Sequence, residues 1–584
     1  MRDSSLGAVP VGAWARWAGR AGSAAWFIVL VTAARLVYLF FFCPYSLIED
    51  EAHYWEWSRR LALSYYTKGP GIAWAIRGAT ELFGDVEGAV RLPAVVCGAI
   101  AGAGVAMLAH GAIPDRRAAF IAAACFMLTP IFQITGLIVT IDGPLTAAWT
   151  IGAWGAWRAL VRDDPRGWLV LGAAVGVGCL FKYTTLLLPL GVFAAANVTG
   201  LRVRRHVPAM LGGAALCAVG LLPVIVWNAR NDWATIAHLL GHLGVKGGDM
   251  PVTQGRDGWS YSPLWTLSFL GTQAALLGPV LILGVLGALD AWRARTADPA
   301  RWRREGALAA MGMPVFLFYF LVSFLTEPEG NWALAGGLTF VPLAAGRVLR
   351  GMDDWLARVR AWRASPSPRP RMGVLVRRPE TPTQVLWMIL LCGGLVVAVG
   401  SLRLDLLARL PRVGRYIPVH RFTGAERMAA HVDRLRAEVR DETGAEPFVV
   451  AMHYGRASQM AFYLPGHPVV YCATSVILGG RHTQYDYWPD TDLRRDLGLR
   501  GRPSVMLGGT REAWSLVFAR VREIGRLDAD GKKDRPVFIG EDFLFTSFDR
   551  NPAMGRDLTT NPKAGPAQGP SPDRVPEPVP EPLP

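Results

Sequence analysis

Ile48-Glu49-Asp50-Glu51-Ala52-His53-Tyr54-Trp55 follows directly on an apolar run, residues 22–43, that is long enough to cross a bilayer. Three adjacent carboxylates beside hydrocarbon are costly, and ionisable groups at such a boundary usually bind something or move protons. The stretch reads as the start of a functional site at the end of a first membrane span.

Composition extends that reading to the whole chain. Of 584 residues, 52% are hydrophobic and only 18% charged, with 22 tryptophans and 64 glycines, a balance that fits a multispanning membrane protein rather than a soluble fold. A net charge of +15 would suggest nucleic acid in a soluble protein. Here the arginines lie in short loops between apolar runs, which is orientation information, and no nucleic acid is expected as a partner.

Spans are expected at 22–43, 91–111, 118–138, 144–161, 167–181, 184–199, 207–227, 263–289, 306–326, 332–349 and 384–402, about eleven of the roughly 20-residue length a bilayer demands. Pro130 and the short pair within 167–199 are candidates for kinks or re-entrant segments. An N-terminal segment 1–21 inside the cell puts the arginine clusters at 116–117, 158–166, 202–205, 293–304 and 347–378 in the cytoplasm. The chain beyond 403 then lies outside. The run after Arg20 lacks a small-residue cleavage site and reads as a retained span. Six of the seven cysteines fall in or beside spans, so no disulfide framework is implied.

Residues 413–550 change character. Short β-like runs at 448–452, 469–472, 504–507 and 537–539 alternate with helical patterns at 425–439, 457–463 and 511–524, which suggests a small extracytoplasmic α/β domain. The tail 551–584 is rich in proline and charge and too poor in apolar residues to fold. The fold class expected is a polytopic α-helical membrane protein, its membrane domain spanning 22–403 with a first outer loop at 44–90, joined to that α/β domain.

This topology sends Glu49-Asp50-Glu51, Tyr65-Tyr66-Thr67-Lys68-Gly69-Pro70, Thr140-Ile141-Asp142-Gly143-Pro144, Lys182-Tyr183, the loop 228–262 and Glu327-Pro328-Glu329-Gly330-Asn331-Trp332 to the outer face. A carboxylate and a lysine brought together there supply a base for a nucleophile and a cation for a phosphate leaving group.

The stretch from Asp50-Glu51-Ala52 through Leu61–Pro70 to Leu82-Phe83-Gly84-Asp85 and Arg91-Leu92-Pro93 resembles the first outer loop of the GT-C glycosyltransferases. The most similar branch is the bacterial protein O-mannosyltransferase and lipid A aminoarabinose transferase superfamily. Asp142, Lys182-Tyr183, Trp227-Asn228 and Asn331-Trp332 fall where that family's later motifs are expected. Phe462–Gly466 and Gln484–Trp488 also look similar to bacterial members.

The resemblance implies transfer of a sugar from a polyprenyl-phosphate carrier to a lipid, glycan or protein acceptor, usually with inversion, at the outer face of a bacterial inner membrane. Asp50 is then the general base, Glu51 an aid in placing the acceptor or tuning its neighbour, and Asp142 a second catalytic acid group. Lys68 and Lys182 would hold the donor phosphate, and Tyr66, Tyr183, Asn331 and Trp332 would line the substrate site. Gly69 departs from the family pattern, which often has a first proline there. No cofactor is implied with any force, although three clustered carboxylates could hold a divalent cation.

Plainer readings exist for each residue. Asp50 and Glu51 could begin a solvated loop, Lys68 could snorkel, Asp142 could cap a helix and Lys182 could satisfy helix-end carbonyls. Trp55, Trp57, Tyr65 and Tyr66 read most simply as an interfacial belt, with stacking on a sugar ring as the alternative. His238 and His242 have helical ligand spacing but lack the glutamate of a zinc protease motif, and Asp490-Thr491-Asp492 reads as a turn. The competing class is a transporter or lipid flippase, which tends to show repeated halves and midplane charges; no repeat is visible here. A receptor anchored by so many spans is a third reading.

Overall fold

The computed structural model describes residues 22–243, 261–364, 381–412, 419–478, 482–494, 496–527 and 535–544, together with residues 19, 245, 248, 249, 414 and 417. The expected cytoplasmic N-terminus 1–21 and tail 551–584 lie essentially outside the described residues.

Every expected span falls on helix. The helical bundle is built from Ser23–Phe41 (α1), Glu87–Ala112 (α4), Ala118–Leu128 (α5), Asp142–Val161 (α6), Arg166–Cys179 (α7), Leu188–Thr199 (α8), Val207–Ala229 (α9), Pro263–Arg293 (α11), Ala307–Val322 (α12), Phe340–Ala364 (α13) and Thr381–Leu402 (α14). Six helices among the described residues, starting at Ser23, Glu87, Val207, Pro263, Pro299 and Pro382, are long and apolar enough to cross a membrane. The span expected at 118–138 breaks at Thr129, before a short helix Pro130–Ile134. Proline cannot donate to the preceding turn, so the kink sits where the sequence placed it.

The abundance of glycine has a packing cause. A methyl group on Gly172 of α7 would collide with the backbone of Gly213 on α9, and one on Gly220 would meet the backbone of Gly176. Lipid gives no hydrophobic push between helices, so close backbone approach through small residues holds them together.

Two further helices lie in the segment between α1 and α4: Glu49–Ser58 (α2) and Gly71–Phe83 (α3). A short helix Ala234–His242 (α10) belongs to a later loop on the same side. Above them sits an α/β unit with helices Ala425–Thr443 (α15) and Tyr454–Tyr463 (α16) and strands Phe448–Ala451 (β1), Val470–Cys472 (β2), Ser504–Leu507 (β3), Phe518–Leu527 (β4) and Arg535–Phe543 (β5). The sheet order is β2-β1-β3-β5-β4, parallel across β2, β1 and β3 and antiparallel across β5 and β4.

One expected element is corrected. Residues 511–524 are helical only at Arg511–Trp514 and continue as β4. Buried Trp514, Val517, Phe518 and Val521 have spacing that suits a helix face. Pairing with β5 along most of its length, interrupted by an irregularity between Glu523 and Gly525, makes it the edge strand instead.

The aromatic belt is corrected as well. Trp55, Trp57, Tyr65 and Tyr66 are all at most 2% exposed. The first three share a core with Ala457, Met460, Phe462 and Tyr485 of the α/β unit. The segment between α1 and α4 and the C-terminal unit are thus packed into one body at one end of the helical bundle.

Candidate active site

Successive residues of a helix point about 100° apart, so the three adjacent carboxylates of α2 face three different partners. Glu51 turns inward. It is fully buried, pairs with Arg91 of α4 (Arg91 Nη2 to Glu51 Oε2 2.7 Å, Nε to Oε1 2.9 Å), and accepts the backbone N–H groups of Ile48 and Val139 at 3.1 and 3.0 Å. Glu49 turns toward the start of α16. Arg456 Nε lies 3.1 Å from its Oε1 and His453 Nδ1 3.4 Å from its Oε2.

Asp50 points between them, into open space. Water reaches its side chain, although protein surrounds it on most sides. Tyr454 donates a hydrogen bond to Asp50 Oδ1 at 3.2 Å. Desolvation raises its carboxyl above the ordinary aspartate range, helped by the neighbouring charge of Glu49 and opposed by Tyr454, His453 and Lys68. A carboxylate so placed can accept a proton from a bound hydroxyl or amine.

Lys68 is half-buried and lies close enough to Asp50 to act on it electrostatically. Its turn is fixed by backbone. The Lys68 carbonyl accepts from Tyr65 N–H and Ser64 Oγ, and Gly71 N–H donates to Leu180 O at 2.8 Å. A Cβ on Gly69 would collide with that same Leu180 carbonyl. Glycine is required there because the loop passes so close to the end of α7.

Asp142 and Lys182 are brought together. Asp142 opens α6 without capping it, and its Oδ1 takes Lys182 Nζ at 2.6 Å while Oδ2 takes Asn331 Nδ2, also at 2.6 Å. Tyr54 of α2 stands within electrostatic reach of both Asp50 and Asp142, so the two acidic centres share one wall. Its phenol is buried and held well above its usual pKa, first by desolvation and then by those carboxylates. Tyr319 also faces Asp142, bonds Thr184 at 2.8 Å and packs on Trp332 at 5.6 Å between ring centroids.

Tyr66 and Tyr183 flank this region differently. Tyr66 is buried, with its hydroxyl on Asp249, its ring stacked on Tyr487 and its backbone N–H on Gln484 Oε1 at 2.7 Å. It ties the first loop to the α/β unit. Tyr183 lies beside Ser64. His238 bonds Asp249 at 3.2 Å and His242 at 3.0 Å, and His242 packs on Trp332, so this pair is part of a ring-and-hydrogen-bond network. Asp490 pairs with Arg60 and Asp492 with Arg494, which makes Asp490-Thr491-Asp492 a docking turn.

The donors do not fit a single cation. The three carboxylates of α2 diverge, and among the described residues no three His, Cys, Asp or Glu side chains converge on one point. Sequence reading also passed over Arg91's part in holding Glu51, Tyr54 between the two acidic centres, and His453, Tyr454 and Arg456 of the C-terminal unit. The signal for the last three is positional: they follow β1, at the carboxyl end of a parallel strand, where open α/β sheets form their crevices.

Residues 67–227 match the family model described as dolichyl-phosphate-mannose-protein mannosyltransferase. Over 296 residues, 49% of the chain, the sequence is 28% identical to lipid A galacturonosyltransferase RgtD of Rhizobium johnstonii, and that match spans 57% of the relative's length. The fold is similar to crystal structures of ArnT from Cupriavidus metallidurans, apo and bound to undecaprenyl phosphate. Both have a TM-score of 0.56, at 16% and 17% identity, over 89% of this chain and 98% of theirs. The loop motifs, the family model matched over residues 67–227 and the shared fold agree in direction: the chain is similar to the protein mannosyltransferases in sequence and to ArnT in fold.

Proposed function

We propose that this protein is an inverting membrane glycosyltransferase that moves a sugar from a polyprenyl-phosphate carrier to a lipid, glycan or protein acceptor. One observation carries the reading: Asp50 is open to water yet cradled by protein, with Lys68 beside it. Asp50 takes the proton from an acceptor hydroxyl or amine as that atom attacks the anomeric carbon. The bond from that carbon to the phosphate oxygen breaks, its electrons stay on the oxygen, and Lys68 meets the charge that develops there.

Lys182 uses one donor on Asp142 and keeps two for the same phosphate. Asp142 therefore acts by positioning Lys182 and Asn331, and Glu51, with its oxygens taken by Arg91 and backbone, by fixing α2. Tyr66, Tyr183, Asn331 and Trp332 line the path around the two centres.

A lipid-linked donor suits a site at the ends of the spans, since its tail stays in hydrocarbon while the phosphosugar reaches the loops. The reading places about eleven spans, both acidic centres and the α/β unit 413–550 on the outer face of a bacterial inner membrane. The relative RgtD is a lipid A galacturonosyltransferase, which makes lipid A the first acceptor to assay. Mass spectrometry of envelope glycolipids and glycoproteins from a strain lacking the protein should show one sugar missing. Restoration by the Asp50→Asn variant at wild-type level would refute the reading.

A further inference from the structure

The sequence assigns the C-terminal α/β unit no chemistry of its own. Its four residues His453-Tyr454-Gly455-Arg456, however, close around Glu49 and Asp50. They form the first turn of α16 and the residue before it, at the carboxyl end of β1.

The fit is close at every position. His453 caps α16 by accepting Gly455 N–H at 3.2 Å and sets its ring 3.4 Å from Glu49. A side chain at Gly455 would strike Glu49, and Arg456 reaches the same carboxylate at 3.1 Å. The Tyr454 ring is wedged between His53 and His453, with centroids 4.6 and 4.4 Å away, so its hydroxyl has one direction in which to point. That direction is Asp50 Oδ1. Ser458, one turn on, bonds both His53 and Tyr485 and locks α16 to α2.

We infer that the C-terminal unit completes the catalytic centre, with Tyr454 as the positioning residue that aims the Asp50 carboxylate at the acceptor. The inference rests on Asp50 being the base. An aspartate reached by water on one side has several rotamers available, and a phenol donating to one oxygen leaves the other free to accept the substrate proton. Hydrogen bonding to the charged form also favours ionisation. The other groups facing Asp50 are Glu49 and Tyr54 on its own helix, Lys68 from the turn, and His453 beside Tyr454.

The test uses full-length protein in lipid nanodiscs, with a polyprenyl-phosphate sugar and acceptor glycolipid from the matching envelope. It compares wild type, Tyr454→Phe, His453→Asn and Asp50→Asn. Tyr454→Phe should lower kcat by about tenfold, the scale of a lost hydrogen bond to a charged group. KM for the donor and the melting temperature should stay unchanged, while the acid limb of the pH profile moves up by about one unit. His453→Asn, which retains a capping side chain, should move the limb the same way by less.

An inactive Asp50→Asn beside a Tyr454→Phe enzyme with wild-type kcat and pH profile would overturn this inference and leave the proposed function standing. An active Asp50→Asn would overturn both. Should Tyr454→Phe lose its fold, the limb shift in His453→Asn decides: its presence supports the inference and its absence refutes it.

Discussion

Lys182 Nζ and Asp142 Oδ1, forty residues apart in the chain, meet at 2.6 Å in a pocket where both side chains are at most 10% exposed. A pair so far from water is held by its geometry. Removing one partner strands the other as a buried, unmatched charge. Asp142→Asn or Lys182→Met alone should lower stability by about 3–5 kcal/mol. The double variant should recover much of that loss, because two neutral side chains leave no orphan charge. Thermal unfolding in detergent of the two single variants and the double checks the cycle, and additive losses would show that the pair is not coupled.

Glu51 and Arg91 make a second test of the division between chemistry and scaffold. Both are essentially buried, and Glu51 also holds the N–H groups of Ile48 and Val139. Glu51→Gln should therefore reduce folded yield and melting temperature, by about 3–5 kcal/mol. The surviving folded fraction should keep the wild-type pH profile, because Glu51 turns away from the open side of Asp50. A stable variant with its acid limb displaced would instead make Glu51 a partner in proton transfer.

Asp50 predicts opposite signs for activity and stability. Its folded-state pKa is raised, chiefly by desolvation, so the fold prefers the protonated carboxyl. Its contribution to stability is present below the ordinary aspartate range and is lost as pH rises through the raised folded value. A base must be ionised, so activity appears over that same climb. Asp50→Asn should be inactive yet at least as stable as wild type at neutral pH. The melting-temperature gap between the two should close as pH falls below the aspartate range. A variant less stable than wild type at neutral pH would show that the carboxylate is satisfied rather than strained.

Much of this was legible before any coordinates. A bilayer demands long apolar runs, so residues such as 22–43 and 207–227 could be read as spans from composition alone, and the sorting of polar clusters to one end pointed to Asp50, Lys68, Asp142 and Lys182. Partners supplied across the chain were not legible. Tyr454 lies 404 residues from Asp50, and nothing in either local pattern specifies the other. The same holds for Trp55 and Trp57: an amphipathic indole suits a membrane interface and a domain contact equally, and only the position of the α/β unit decides. The strand at 518–527 was missed because its buried positions, Phe518 and Val521, fall at helical spacing, and only the register with β5 makes it a strand.

Gly69 carries the last prediction. Its missing side chain lets the loop bearing Lys68 pass against the Leu180 carbonyl, which also takes the Gly71 N–H. A methyl group there collides with backbone, which cannot rotate aside as a side chain would. Gly69→Ala should push the loop off α7 at a cost of about 1–3 kcal/mol, and Lys68 should move with it. The expected signature is a raised KM for the lipid-linked donor together with a lowered kcat, since in the proposed mechanism the lysine would contact the phosphate in both ground and transition states. Steady-state kinetics against donor concentration checks it, and wild-type values for both constants would show that the position of Lys68 does not depend on this contact.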